Sequence, residues 1–242
     1  HRIARRQRQM CIRDRRIGVA MLQGARHEHC EAIQHAAHEM NTKVEIIQLR
    51  KASDIDDSIQ ALVLPGGEST TMRIASQSES LLDGIFTWMT NFPERPVLGT
   101  CAGAILLANP GGNLAPFIDV EVARNAWGRQ KFSFEAPLDI TLNTPDKISN
   151  AEFELARDKF NHKPLPMATQ AAKRQRNTFP GVFIRAPRFT QGSIKCQKIA
   201  MLDDETVGVL DGSKLALTFH PELTNDRRFH RWLIAQIIHD NH

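Results

Sequence analysis

Three observations predict an α/β fold with a mostly parallel central sheet and helices on both faces. Short apolar runs alternate with helix-compatible stretches through the first half of the chain. Two of those runs stop abruptly at glycine-rich turns, "PGGEST" and "GTCAG". The length of 242 residues, with 41% hydrophobic and 24% charged residues, suits one large globular domain with a real core.

The elements follow in order. "RIGVAML" (16–22) is a strand ending at Gln23-Gly24, and a helix runs from Ala25 to about Met40. "KVEIIQL" (43–49) alternates as a strand, and "ALVLP" (61–65) is a buried one. A polar, helix-compatible segment containing "LLDGIFTWM" leads to a strand at Pro96–Gly99, and "AGAILLA" then forms a helix. The second half is richer in strands: "FIDVEVA" (117–123), "FSFEAPLDITL" (132–142), "GVFIRA" (181–186), "TVGVLD" (206–211) and "KLALTF" (214–219). Asp211-Gly212 reads as the hairpin turn between the last two. "DRRFHRWLIAQIIHD" closes the chain as an amphipathic helix with Phe229, Trp232, Leu233, Gln236 and Ile237 along one stripe.

Two segments differ in kind. The first sixteen residues hold seven arginines and one acid, whereas the remainder carries more acids than bases. The pI of about 9.0 therefore belongs to this tail and does not predict a nucleic-acid partner. Residues 1–15 are expected to be a basic leader outside the fold, leaving 16–242 as a single domain. Polar, proline-punctuated residues at about 143–178 are expected to form a surface insertion. No apolar stretch approaches the roughly 20 residues of a membrane span. Four cysteines (Cys11, Cys30, Cys101, Cys196) show neither CxxC spacing nor a disulfide pattern, so a reducing, cytoplasmic setting and no metal site are expected.

The chemistry concentrates at strand ends, where ligands bind in such sheets. Cys101 follows an apolar strand and opens a helix. A thiol there meets unpaired backbone N–H groups and the positive end of the helix dipole, which favours the thiolate. On the turn alone, a buried structural cysteine explains Cys101 equally well. "TFHPEL" (218–223) brings a histidine and a carboxylate to another strand end: His220 can take the thiol proton while Glu222 fixes the imidazole tautomer. Gly66 and Gly67 of "LPGGES" let backbone N–H groups point toward a developing oxyanion. An ordinary strand-to-helix turn would look the same.

Together "GTCAG", "HPEL" and "PGGEST" resemble the class I, triad-type glutamine amidotransferases. "LQGARHEH", "LPGGESTTMR", "GTCAGAILLA", "VARNAWGRQKFSFEA", "GVFIRAP" and "FHPELTNDRRFHRW" occur in the order found in the glutaminase subunits of pyridoxal 5′-phosphate synthase. The resemblance covers nearly all of 16–142 and 179–238. "RNAWGRQ" and "FIRAP" set this group apart from glutaminases of other pathways, such as imidazole glycerol phosphate synthesis. Intact Cys101, His220 and Glu222 set it apart from non-catalytic relatives.

The resemblance implies Cys101 as nucleophile, His220 as base and Glu222 as its orienting carboxylate. It places Gly67, Glu68, Ser69, Arg124, Ile184 and Arg185 around glutamine, and the Gly67 and Ala102 N–H groups at the oxyanion hole. Gln23 falls at the edge facing a partner. It further implies L-glutamine as substrate, a synthase subunit as hetero-oligomeric partner, and no metal or organic cofactor. The leader and the insertion, longer than the connection in bacterial members, depart from the family pattern.

Overall fold

The computed structural model describes residues 15–123, 133–149 and 177–239. The leader up to residue 14, the stretch 124–132 that contains "RNAWGRQ", and most of the insertion lie outside them. In chain order the elements are β1 (Arg15–Ala20), α1 (Arg26–Glu39), β2 (Val44–Leu49), β3 (Ala61–Leu64), α2 (Ser69–Ser76), α3 (Leu81–Asn91), β4 (Val97–Thr100) and α4 (Ala102–Ala108). Then come β5 (Val122–Ala123), β6 (Ser133–Ile140), β7 (Thr178–Ile184), β8 (Arg188–Phe189), β9 (Gln197–Leu202), β10 (Glu205–Asp211), β11 (Lys214–Leu217) and α5 (Arg228–His239).

Nine strands form one sheet in the order β2-β1-β3-β4-β11-β10-β9-β6-β7. From β2 to β11 every pairing is parallel. From β11 outward the pairings are antiparallel. β10 and β11 form the expected hairpin, with Asp211 paired to Lys214 and Gly212 at φ +53°.

Side-chain alternation splits the core into two layers. Ile17, Val19, Ala61, Val63, Leu98 and Leu215 face α1 and α5, where Ile33, Ala36, Phe229, Trp232 and Leu233 meet them. Ala20, Leu62, Leu64, Val97 and Ala216 face α2, α3 and α4, packing on Met72, Leu81, Ile85, Trp88 and Leu106. Strands covered on both sides must be apolar at successive positions, which is why these runs read as continuous. α5 is buried well beyond its predicted stripe, since Ile234 and His230 are also fully covered.

Two expectations need correction. The strand at 117–123 shrinks to Val122–Ala123. Its backbone turns instead to other partners: Phe117 N–H donates to Leu107 O, and Asp119 N–H to the Asp211 carboxylate. Buried Ile118 and Val120 serve as anchors of a loop. Conversely β9 carries only a short apolar core, Ile199–Ala200, and the sequence reading missed it.

Helix boundaries lie within a residue or so of expectation, and β1 begins at Arg15, one residue inside the expected leader. The described start of the insertion is tied down by Glu39 and by Arg231, whose Nε donates to Pro145 O. Glu39, at the end of α1, pairs with Lys147 and Arg231, and its carbonyl accepts from the Ile148 and Ser149 N–H groups.

Candidate active site

β4 ends at Thr100, and Cys101 sits at the tip of the turn before α4 with φ +48° and ψ −105°. A non-glycine residue at such angles is strained, and such strain clusters at active sites. The Cys101 N–H donates to Leu217 O at 2.8 Å, which ties the turn to the end of β11. Three residues beyond that strand, past Thr218 and Phe219, comes His220, whose N–H donates to Val182 O at 2.8 Å.

His220 and Glu222 are both buried, with Nδ1 and Oε1 2.7 Å apart. Burial alone would discharge the imidazole. The Glu222 carboxylate, with Cys101 adjoining, instead raises His220 to about 10. Glu222 stays below the usual carboxylate range despite its burial, because His29 and His220 stabilise its charge. Thiol, imidazole and carboxylate thus lie in one buried cluster.

Gly66 shows why the turn after β3 is glycine. A Cβ there would lie 2.4 Å from His220 Cε1 and 3.3 Å from Cys101 Cβ. Gly67 follows at φ +156°. The Gln23 side chain, from the turn after β1, reaches across, and its Oε1 accepts the Glu68 N–H at 3.1 Å. Ala102 opens α4, where a helix leaves its N–H groups without intrahelical partners.

These turns line a pocket of about 370 Å³, within the usual range for small-ligand sites. Of the predicted residues, Gly67, Glu68, Ser69, Cys101, Ile184, Arg185 and His220 line it. Glu222 lies behind His220, and Gln23 and Ala102 flank the turns. Arg124 lies outside the described residues. Ile184 and Arg185 form an exposed rim where β7 ends, Arg185 at φ +44°, and the Ile184 carbonyl lies 4.0 Å from the Cys101 thiol. The Glu68 carboxylate is already engaged. It caps α2 by accepting from the Thr70 and Thr71 N–H groups and the Thr71 hydroxyl, and the Thr71 bonds foremost lower it to about 2.

Sequence reasoning missed two residues here. Glu28 lines the pocket, and His29 sits directly behind Glu222. Both belong to "LQGARHEH". The available signal was that His29 leads the buried stripe of α1, followed by Ala32, Ile33, Ala36 and Ala37.

The model of the SNO glutamine amidotransferase family matches residues 19–153 and 166–239, including every element that builds this pocket. The chain belongs to the SNO glutamine amidotransferase family. The unmatched gap falls inside the expected insertion. Curated relatives of this SNO-family chain carry the name pyridoxal 5′-phosphate synthase subunit PdxT. The one from Thermococcus onnurineus is 36% identical over 232 residues, covering 92% of this chain and 99% of that protein. The one from Haloarcula marismortui is 36% identical over 220 residues, covering 89% and 93%. A solved glutamine amidotransferase structure superposes with a TM-score of 0.66 at 31% identity, covering 91% of this chain and 97% of the other. Among the described residues, no helix is long and apolar enough to cross a membrane.

Proposed function

We propose that this chain is the glutaminase subunit of a pyridoxal 5′-phosphate synthase. It hydrolyses L-glutamine to L-glutamate and ammonia and passes the ammonia to a synthase subunit. The observation that carries the reading is the buried pair His220 Nδ1–Glu222 Oε1 at 2.7 Å, with His220 and Cys101 lining the same pocket. The name shared by relatives that align over nearly their whole length supports the partner and the pathway.

In this mechanism the proton of the Cys101 thiol resides on His220, whose imidazolium is held charged beside Glu222, and the resulting thiolate attacks the side-chain amide carbon of glutamine. The carbonyl electrons move onto oxygen, and the oxyanion is held by the Gly67 and Ala102 N–H groups. The His220 imidazolium returns the proton to the amide nitrogen, the C–N bond breaks, and ammonia leaves a glutamyl thioester on Cys101. Water, deprotonated by His220, attacks the thioester. Glutamate departs and the thiol is restored. Glu222 keeps the imidazole in one tautomer and stabilises its charged form. Arg185, with Arg124, suits the α-carboxylate of the substrate, and Gly67, Glu68, Ser69 and Ile184 complete the surroundings of glutamine.

Each step uses groups of the chain itself and needs no metal or organic cofactor. A reducing cytoplasm fits a thiol nucleophile, and Cys101 is a free thiol. The domain runs from β1 to α5 with the insertion on its surface. A glutamate-release assay with and without the synthase subunit tests the proposal. Turnover should rise markedly when the synthase is added. Glutamate release that is absent under both conditions would overturn it.

A further inference from the structure

Behind the His220–Glu222 pair lies a second layer of buried polar groups that the chemistry above does not use. His29, Thr100 and His230 are all completely buried. His29 Nε2 lies 3.0 Å from Thr100 Oγ1 and 3.2 Å from Glu222 Oε2, while its Nδ1 lies 3.0 Å from His230 Nε2. One imidazole therefore touches the carboxylate that orients His220, the residue that precedes Cys101, and the C-terminal helix. The rest of its helix face is alanine and isoleucine. Packing alone would be served by another apolar side chain without desolvating an imidazole.

The tautomer follows from the neighbours. Burial, with His220 nearby, keeps His29 below the usual imidazole range against the pull of Glu222 and Glu28. Burial likewise holds His230 well below, helped by His29, Arg227 and Arg231. Both rings are neutral, so each carries one N–H. With the proton of His29 on Nε2, a donor stands between Thr100 Oγ1 and Glu222 Oε2, and Nδ1 accepts from His230 Nε2–H. The opposite tautomer would turn a lone pair toward a carboxylate oxygen 3.2 Å away. The Nε2–H is aligned on Thr100 Oγ1, and Glu222 Oε2, which has no hydrogen-bond partner among the described residues, lies 3.2 Å from the same nitrogen as a close electrostatic contact.

We propose that His29 is a positioning residue. Its Nε2–H, bonded to Thr100 Oγ1 and set 3.2 Å from the outer oxygen of Glu222, keeps that carboxylate and the Thr100 side chain in one register, so that Glu222 Oε1 meets His220 and the Cys101 turn faces the same ring. This rests on reading Cys101, His220 and Glu222 as the working triad.

Two substitutions separate positioning from packing. His29→Leu fills similar space without a donor, and His29→Gln keeps an N–H near the Nε2 position. With the synthase present, His29→Leu should lower kcat about tenfold or more, as loss of an outer-shell orienting group does, with KM within about twofold. His29→Gln should recover most of that loss. Alkylation of Cys101 by iodoacetamide, followed by mass spectrometry across pH on the chain alone, should slow below neutral pH in His29→Leu and recover in His29→Gln. A folded His29→Leu with wild-type kcat and alkylation profile would overturn the proposal. So would equal losses in both variants accompanied by equal falls in Tm. Should His29→Leu not fold, His29→Met takes its place with the same readouts. The alkylation profile needs neither glutamine nor partner, so it decides on His29 even if wild-type protein releases no glutamate.

Discussion

The two halves of the sheet are built from similar strands and contribute very differently. In the parallel half, the turns that follow β1, β3 and β4 and the segment after β11 deliver Gln23, Gly66 to Ser69, Cys101 and His220 to one edge. All those strands run in the same direction, so their C-terminal ends coincide, and the four connections place a thiol, an imidazole and backbone donors together. In the antiparallel half, successive strands reverse and their ends alternate between edges. Among the described residues that half offers the pocket Ile184 and Arg185 at the end of β7 and Pro187 just beyond, with backbone support from Val182 O to His220. The thiol and the imidazole come from one half, and this rim from the other.

The severest challenge to that division is Cys101→Ala. Glutamate release should fall to background while the circular dichroism spectrum and synthase binding persist, because alanine fits the turn. Glutamine-mimicking electrophiles should label Cys101 in the wild type and spare Cys30 and Cys196. Labelling at Cys196 would move the chemistry out of the parallel half altogether.

Next in size is the base. His220→Asn should reduce kcat by about 100- to 10,000-fold, the usual contribution of general acid–base catalysis, and Glu222→Gln by as much or less. The same histidine leaves a signature in stability. Its folded value of about 10 lies above the ordinary imidazole value of 6.5, so the native state binds the extra proton between these limits. Its contribution is full below about pH 6.5 and is lost as pH rises toward 10. Chemical denaturation from pH 6 to 10 should show wild-type stability falling relative to His220→Asn. Parallel curves would mean the imidazole is not held charged.

A more modest effect is expected at Gln23. Its hydrogen bond to the Glu68 N–H braces the turn that carries Gly67. Loss of one oxyanion donor costs about 100- to 1,000-fold, and Gln23→Ala, which only loosens a donor's support, should cost less. We expect it to blunt the rise in kcat produced by the synthase more than it weakens glutamine binding. Equal activation in wild type and variant would detach Gln23 from the oxyanion turn.

The smallest effect belongs to the antiparallel half. Replacing 150–176 with a short Gly/Ser linker, while keeping the 143–149 segment held by Glu39, should leave kcat and KM within about twofold, since such linkers behave as flexible coils. A collapse of glutamate release would show that the insertion reaches the pocket.

Legibility in the sequence followed the same division. Parallel strands are short apolar runs closed by glycine, so β3, β4 and α4 could be read within a residue, and the nucleophile turn with them. The 117–123 stretch misled because its buried Ile118 and Val120 satisfy the pattern of a strand while their backbone bonds go elsewhere. β9 escaped notice because exposed Gln197 and Lys198 dilute its apolar core. Cys101, His220 and Glu222 stood out because each follows an abrupt strand end. His29 did not: a histidine within a helix looks like any other until the fold shows that it abuts Glu222.

The backbone of Cys101, at φ +48° and ψ −105°, has a consequence for how this protein can change over time. Side chains disfavour that conformation by roughly 1–3 kcal/mol, a strain that glycine largely escapes. A Cys101→Gly chain should therefore be the more durable protein and a dead enzyme. Selection for persistence and selection for turnover pull in opposite directions at this one residue. In a copy released from the duty of making ammonia, turnover would no longer oppose a glycine at position 101.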